Sequence, residues 1–238
     1  MRGALEVTPD PGLWAAAAHA LEEIQDGAKV GLGTGRAAAA FIAQLGERVR
    51  QGLRVVAVAT SSVSARQARE LGIPLVDLDE ELELDLIVDG ADEVAPNLDL
   101  VKGWGGALLG EHIVTSASRR QVIIVGPEKL VKRLGARGRI PVEVVPLALG
   151  PVTRRVRALG LTPTLRLDAD GARPSLSDAG NLTLDCGVGA PLRGGPAARR
   201  LEAALRATHG VVDTGLFLGT AERVLVGHPD GRVEVRAR

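Results

Sequence analysis

The sequence predicts an α/β protein with a doubly wound, mostly parallel sheet and a smaller α+β domain inserted into it. Three observations lead to this prediction. In the first half of the chain, short β-branched segments alternate with segments of helical periodicity. Glycines and acidic residues follow several of the strand-like segments, at the sheet edge where parallel α/β proteins bind ligands. From about Arg139, closely spaced prolines and a different order of elements mark a second unit.

Composition places this chain among globular proteins and excludes several classes of partner. It has 238 residues and 45% hydrophobic content, which is ample for a buried core. Basic and acidic residues number 29 each and form no basic block, so we expect no nucleic-acid or membrane partner. No apolar run approaches bilayer length, and the first residues lack the order of a secretory signal. Since Cys186 is the single cysteine, we expect a cytoplasmic protein.

Strands and helices are predicted to alternate over the first part of the chain. The predicted strands are 28–32, 53–59, 73–77, 84–88 and 121–125. The predicted helices are 13–25, which Gly27 ends, a second one with Phe41, Leu45 and Val49 on one face, 64–71, and 107–118. Strands that alternate with helices at this spacing imply right-handed crossovers and therefore a Rossmann-like sheet.

The region after Arg139 has the element order β, α, β, β, α, β, which is that of a small ferredoxin-like domain. Its predicted helices are 152–159 and 197–207, and its strands include 164–168, 181–185 and one that begins at Val211. We therefore expect a Rossmann-like domain, 1–138 plus 212–238, and an inserted domain, 139–211. The segments 215–218 and 223–226 are predicted to return to the main sheet, and 228–235 to form a closing hairpin.

The segment from 85 to 111 is the richest in chemically active side chains. A buried strand ends at DGADE, 89–93, which has three carboxylates within five residues. A solvated turn would explain this group by itself, because Asp and Gly are common turn formers. Lys102 and the glycine-rich run after it favour a functional loop, since an exposed and flexible backbone suits a ligand. Glu111 follows in the early turns of the next helix.

A candidate phosphate site follows the first strand. Gly33, Thr34 and Gly35 lead into a helix beside Arg36, so backbone N–H groups, a helix dipole and a guanidinium can point at an anion. A plain strand-to-helix turn explains so short a motif equally well, and no Lys-Ser/Thr pair follows, which disfavours a nucleoside triphosphate. The hydroxyls of 60–62 are helix caps in the simplest interpretation, but they can contact a sugar phosphate if the two loops are neighbours.

With these motifs in place, the chain resembles the type A family of ribose-5-phosphate isomerases over almost its whole length. The segments that carry the resemblance are VGLGTG (30–35), TSS (60–62), LGIPLVDL (71–78), DLIVDGADEV (85–94), KGWGGALLGE (102–111), PVEV (141–144) and GVVDTGLF (210–217). The resemblance implies interconversion of D-ribose 5-phosphate and D-ribulose 5-phosphate through an enediolate, in the non-oxidative pentose phosphate pathway. It also implies no metal, no cofactor, and a homodimer or dimer of dimers.

The resemblance also implies roles for individual residues. Glu111 matches the base that moves a proton between C1 and C2, and Lys102 matches the cation near the developing oxyanion. Asp89 and Asp92 match the acids that assist ring opening and hydroxyl proton movement. The remaining residues implied to bind the sugar phosphate are Thr34, Gly35, Arg36, Ala37, Ser61, Gly90, Ala91, Gly103, Trp104, Gly105 and Lys129.

This sequence departs from the family pattern mainly at the phosphate end. Arg36 and Ala37 stand where Ser and Thr are usual, so a guanidinium takes the place of two hydroxyl donors. Leu13 or Trp14 falls where an N-terminal lysine is expected. We therefore expect the phosphate end to be rebuilt around Arg36.

Further departures lie near the chemical centre. Trp104 replaces a loop glycine, Gly126 replaces an aspartate, and Gly110 and His112 flank Glu111 where Arg and Lys are usual. His112 falls on a different helix face from Glu111, so we predict a surface residue.

The alternatives are a sugar-phosphate-binding sensor, an isomerase of a related sugar phosphate, and an acyl-CoA transferase or sugar-phosphate deaminase of the same fold. The complete set of acids, lysines and Glu111 favours the isomerase over the sensor.

Overall fold

The computed structural model of the protein describes residues 10–80 and 82–238. The helices are α1 (Pro11–Leu21), α2 (Arg36–Arg50), α3 (Ser62–Glu70), α4 (Leu108–Ser116), α5 (Leu149–Ala158) and α6 (Gly195–Arg206). The strands are β1 (Ala28–Leu32), β2 (Val55–Ala59), β3 (Leu86–Gly90), β4 (Glu93–Val94), β5 (Leu100–Val101), β6 (Gln121–Val125), β7 (Arg139–Val144), β8 (Leu161–Leu165), β9 (Leu182–Val188), β10 (Val211–Thr214), β11 (Leu216–Phe217), β12 (Arg223–Gly227) and β13 (Val233–Ala237). Of the helices described, none is both long and apolar enough to cross a bilayer.

The main sheet places its strands in the order β13-β12-β6-β3-β1-β2. All neighbours are parallel except β13, which pairs antiparallel with β12 at one edge. β1 has β2 on one side and β3 on the other, so the winding of the chain reverses at β1. The carboxyl ends of β1 and β3 therefore form the switch point at which such sheets bind ligands.

Helices cover both faces of the main sheet, as the predicted fold class requires. On one face, Phe41 and Leu45 of α2 are completely buried in a cluster that includes Val88. On the other face, Val114 of α4 packs with Ile87, because successive residues of a strand point to opposite faces. The predicted Rossmann-like sheet is confirmed, and so is the inward face of the helix that carries Phe41.

A second sheet is antiparallel and has the strand order β10-β7-β9-β8. Helix α5 follows β7 and helix α6 follows β9, so the element order is the predicted β, α, β, β, α, β. Val142 and Leu184 pack with Val156 and Leu205 of the helices, which gives this sheet a core of its own. The predicted ferredoxin-like part of the fold is confirmed. The domain boundaries stay a prediction, and β10 extends to Thr214.

The predicted strand 73–77 is wrong. Within the described residues, this segment makes only one bridge, between Leu75 and Ala57. Ala57 donates its N–H to Pro74 O and Val76 donates to Ala57 O, both at 2.9 Å, and the pairing stops there. Pro74 has no N–H of its own for a longer ladder, and β2 remains the edge of the sheet.

The prediction that 215–218 joins the main sheet is also wrong. Strand β11 pairs with β5 in a small antiparallel sheet of order β11-β5-β4. Phe217 is buried there with Val94 and Leu100, a local apolar cluster that periodicity alone does not reveal. The predicted return of 223–226 and the closing hairpin are confirmed as β12 and β13. The strand predicted at 164–168 lies slightly earlier, as β8.

Candidate active site

A cavity of about 170 Å³ lies at the switch point of the main sheet. The ends of β1, β3 and β6, the start of α2 and the first turn of α4 all reach it. Its lining residues are Leu13, Thr34, Gly35, Arg36, Ala37, Gly90, Ala91, Asp92, Lys102, Gly103, Gly105, Glu111, Ile124, Val125, Gly126, Glu128 and Lys129.

Asp89, near the end of β3, ties the loops on both sides of the switch point together. Its side chain is completely buried. Oδ1 accepts hydrogen bonds from the N–H groups of Thr34 at 3.0 Å and Gly90 at 2.7 Å, and Oδ2 accepts one from Lys102 Nζ at 2.8 Å. A Cβ on Gly33 would lie 2.1 Å from Asp89 Oδ1, so the loop after β1 can approach this carboxylate only with glycine there.

Lys102 is a buried ammonium group at the floor of the cavity. Only 2% of the residue is exposed, and Nζ lies 2.8 Å from Asp89 Oδ2, 2.6 Å from Gly90 O and 3.2 Å from Glu111 Oε2. Burial by itself lowers the pKa of Lys102, but the charges of Asp89 and Glu111 together raise it above the ordinary value. Lys102 therefore remains a fixed positive charge.

Glu111 presents a carboxylate to the cavity from the first turn of α4. The residue is 4% exposed, and Oε2 makes no hydrogen bond although it lies near Lys102 Nζ. Burial raises the pKa of Glu111 to about 8. The positive charge of Lys102 lowers this pKa, but the negative charge of Asp89 raises it further. A carboxylate that titrates near neutral pH is suited to act as a general base.

Gly110 lets α4 pack closely against the backbone that follows β2. A Cβ at position 110 would lie 2.1 Å from the carbonyl oxygen of Thr60. The arginine that is usual here in the resembling family would not fit this packing.

Asp92 and Lys129 form a more open pair on the cavity wall. Asp92 Oδ2 accepts the backbone N–H of Trp104 at 3.0 Å, and its Oδ1 lies 3.9 Å from Lys129 Nζ. Burial raises the pKa of Asp92, against the opposing effects of the Trp104 N–H group, Lys102 and Lys129. This carboxyl group can therefore exchange a proton more readily than an ordinary aspartate.

The opposite end of the cavity has the features of an anion site. Helix α2 begins at Arg36, and its N-cap, Gly35, has φ +97° and no side chain to cap the first turn. The first N–H groups of a helix lack intrahelical partners, and the helix dipole adds positive potential. Thr34 Oγ1 hydrogen-bonds Thr60 Oγ1 at 2.8 Å and Ser61 Oγ at 2.7 Å, so the two loops are neighbours.

Most of the residues predicted from the sequence meet in this cavity. Asp89, Ser61 and Trp104 do not line it; Asp89 lies behind Lys102, and Ser61 supports Thr34. Sequence reasoning missed five lining residues, which are Leu13, Ile124, Val125, Gly126 and Glu128. The end of β6 could have indicated four of them, because it reaches the same sheet edge. The comparison with the family pattern pointed to Leu13 or Trp14 only as the place of an expected lysine.

The prediction of His112 as a surface residue is wrong. Its side chain is 17% exposed, Nδ1 lies 2.9 Å from Asp213 Oδ2, and its ring stacks on Phe217 with 3.8 Å between centroids. The helix face was correctly separated from Glu111, but β10 and β11 cover it, which the local sequence does not show.

No group of three or more His, Cys, Asp or Glu residues among those the structure describes could hold a metal ion.

The fold and the cavity define an α/β enzyme that moves protons on a small anionic substrate. A sequence model of ribose 5-phosphate isomerase A (phosphoriboisomerase A) matches residues 56–231. The chain belongs to this family, which confirms the predicted family and its isomerase activity.

Individual relatives agree with this assignment. The chain is 47% identical over 224 residues to ribose-5-phosphate isomerase A of Roseiflexus sp. (strain RS-1), covering 93% of this chain and 94% of that protein. The corresponding protein of Gloeobacter violaceus is 48% identical over 223 residues, covering 92% and 93%.

Solved structures agree as well. The structure of ribose 5-phosphate isomerase A from Methanocaldococcus jannaschii superposes with a TM-score of 0.88 at 37% identity, covering 96% of this chain and 99% of that one. A D-ribose-5-phosphate isomerase in complex with phospho-erythronic acid gives 0.88 at 32% identity, covering 98% and 100%.

Proposed function

We propose that this chain interconverts D-ribose 5-phosphate and D-ribulose 5-phosphate through an enediolate, with Glu111 as the base. The observation that carries the proposal is the position of Glu111. Its Oε2 is buried, has no hydrogen bond and lies 3.2 Å from the ammonium group of Lys102. A base held beside a fixed cation suits removal of a carbon-bound proton, because the negative charge formed on the substrate needs a preorganised positive partner.

The proton transfers follow from this arrangement. Glu111 takes the proton from C2 of the open-chain aldose, and the electron pair moves to the carbonyl oxygen at C1 to form the enediolate. Lys102 stabilises that oxygen as it becomes negative. The hydroxyl proton moves from O2 to O1, and Glu111 returns its proton to C1, which gives the ketose. The reverse reaction uses the same groups in the opposite order.

Asp89 and Asp92 have different supporting roles. Asp92 lines the cavity and has a raised pKa, so it assists ring opening and the hydroxyl proton transfer. Asp89 is buried behind Lys102 and bonds three donors, so it acts by holding Lys102 and the Thr34 loop in place.

The phosphate group occupies the end of the cavity formed by α2. The N–H groups of its first turn and the guanidinium of Arg36 bind the dianion, and Thr34 and Ala37 complete the loop. Phospho-erythronic acid, bound by the related enzyme, is likewise phosphorylated, which supports a phosphate handle. Binding energy from this remote group orients the reacting carbons at the other end.

The location, pathway and assembly of the protein belong to the same proposal. A cytoplasmic enzyme of the non-oxidative pentose phosphate pathway fits the family, and the only cysteine, Cys186, is buried and unpaired. We propose a homodimer or a dimer of dimers. Light scattering of the purified protein tests the assembly, and a monomeric mass would contradict it.

The experiment that tests the proposed function is conversion of ribose 5-phosphate by the purified protein, with a chelator present. We expect turnover that the chelator does not reduce. Glu111→Gln should lower kcat by about 10²- to 10⁴-fold, the usual contribution of a positioned base. Glu47→Gln, on the exposed side of α2, is the matched control and should keep the wild-type rate.

Two results would contradict the proposal. A folded wild-type protein without turnover would exclude ribose 5-phosphate as the substrate. A Glu111→Gln variant with a near-wild-type rate would exclude Glu111 as the base.

A further inference from the structure

Trp104 belongs to the loop that covers the cavity, yet its side chain does not line it. The ring instead lies among three cations. Its centroid is 4.6 Å from the guanidinium carbon of Arg139, 5.6 Å from that of Arg137 and 5.7 Å from Lys129 Nζ. Aromatic faces attract cations at these distances. Of the three cations, only Lys129 lines the cavity.

Lys129 depends on this ring more than the two arginines do. Arg139 Nη1 also contacts Asp185 at 3.3 Å, and Arg137 also donates to a backbone carbonyl. Among the described residues, Lys129 forms one ion pair, with Asp92, whose Oδ1 lies 3.9 Å from Nζ and beyond hydrogen-bonding distance. The ring therefore acts together with Asp92 in holding the Lys129 ammonium group in place.

The ring is itself fixed from several directions. Its Nε1 donates to Arg139 O at 3.4 Å, and the backbone N–H of Trp104 donates to Asp92 at 3.0 Å. The preceding carbonyl, of Gly103, accepts a hydrogen bond from Arg166 at 2.9 Å. Arg139 and Arg166 belong to the second sheet or follow directly from it, so the second sheet positions the ring that faces Lys129.

We propose that Trp104 is a positioning residue that holds Lys129 at the cavity wall for the sugar phosphate. The inference rests on the proposed function. Asp92 is bonded by the backbone of Trp104 rather than by its ring, so a side-chain substitution keeps the donor to Asp92. Because the ring also contacts Arg137 and Arg139, the share that acts through Lys129 is measured by removing Lys129 as well. The chain thereby uses an aromatic ring at a position where the family resemblance led us to expect glycine.

A double-mutant cycle tests the positioning role. Trp104→Ala should lower kcat/KM for ribose 5-phosphate about 2- to 30-fold, mainly by raising KM, and Trp104→Phe should recover most of the loss because it keeps an aromatic face. In the Lys129→Ala background, Trp104→Ala should have no further effect. In the Lys132→Ala background, with an equivalent lysine removed outside the cavity, the full effect should remain. Equal losses from Trp104→Ala with and without Lys129 would overturn the proposal.

A second measurement needs no turnover. The chain has two tryptophans, so Trp14→Phe leaves Trp104 as the only indole. Adding Lys129→Ala should shift or intensify the emission of Trp104 without any ligand, since a nearby cation acts electrostatically on the ring. Adding Lys132→Ala should leave it unchanged. If Lys129→Ala leaves the emission spectrum of Trp104 unchanged, the contact is overturned. An inactive wild-type protein would contradict only the proposed function.

Discussion

The two ends of the cavity differ in how far their charged groups are buried. At the chemical end, Lys102 and Glu111 are almost completely buried, and Asp89 has no exposed surface at all. At the phosphate end, Arg36 and Gly35, the N-cap of α2, are exposed to solvent. The buried end holds few groups in one geometry, whereas the open end offers donors to an incoming anion.

This difference bears on which of the charged groups in the cavity can be exchanged. A buried charge network has no spare space or solvent to absorb a change, and its members Asp89, Lys102 and Glu111 all match the family. An exposed anion site tolerates exchange of its donors, because water and mobile side chains adjust around them. Arg36, which departs from the family pattern, is exposed at that open end.

Removing the cation from the buried end should have the largest effect. Lys102→Met leaves the carboxylates of Asp89 and Glu111 without their shared partner, so we expect the free energy of unfolding to fall by about 3–5 kcal/mol. Chemical denaturation measures this loss, and Lys132→Met provides the matched control. A loss below about 1 kcal/mol would mean that the buried end is no more constrained than the open one.

Crowding the buried end should be the next most harmful change. Gly33→Ala places a Cβ 2.1 Å from Asp89 Oδ1, so the loop or the carboxylate must move. We expect a loss of about 1–3 kcal/mol of unfolding free energy together with a lower kcat. Gly189→Ala is the control, because a Cβ at that glycine meets nothing within 4 Å and its φ is not positive. Equal behaviour of the two variants in thermal denaturation would refute the close approach.

The ionisation of Glu111 should appear in the pH dependence of the reaction. Its pKa is raised to about 8 by burial, and the base works only when ionised. We therefore expect kcat/KM to rise about tenfold per pH unit below that value and to level off above it. Initial rates across this range measure the effect. A profile that is flat between roughly pH 6 and 9 would show that Glu111 is ionised throughout, as an exposed glutamate would be.

The smallest effect is expected at the open end. Arg36→Ala should raise KM for the phosphorylated sugar by about three- to tenfold while kcat changes little, because the side chain binds the ground state and the transition state equally. The increase should shrink at high salt, since exposed charges are screened. Arg48→Ala, at the far end of the same helix, is the control. An unchanged KM would assign the phosphate to the N–H groups of α2 alone.

The local sequence was enough to predict that the residues of the chemical end lie close together. One strand, one loop and one helix carry Asp89, Lys102 and Glu111, so their proximity follows from the order of the elements. The periodicity of the sequence does not give the order of strands in the sheet. The hydrogen bond between Thr34 and Asp89 therefore could not be predicted, although both residues were candidate site residues.

Contacts between the two sheets were the least predictable. His112 contacts Asp213, and Trp104 contacts Arg139, although the residues of each pair belong to elements that are distant in sequence. A helix face that looks exposed within its own segment is covered by a strand from another segment. The predicted strand 73–77 failed because its pairing with β2 ends after a single bridge, beside Pro74, which has no N–H to extend it.

The place of β12 in the main sheet has a consequence for biosynthesis. β6 needs β12 as a neighbour, but the chain between Val125 and Arg223 must be made before that partner exists. Translation adds about 5–20 residues per second, so each nascent chain presents the open edge of an apolar strand for seconds. Unpaired edges of this kind recruit other chains. Nascent or truncated chains that lack β12 are therefore expected substrates of chaperones, although the finished protein covers that edge completely.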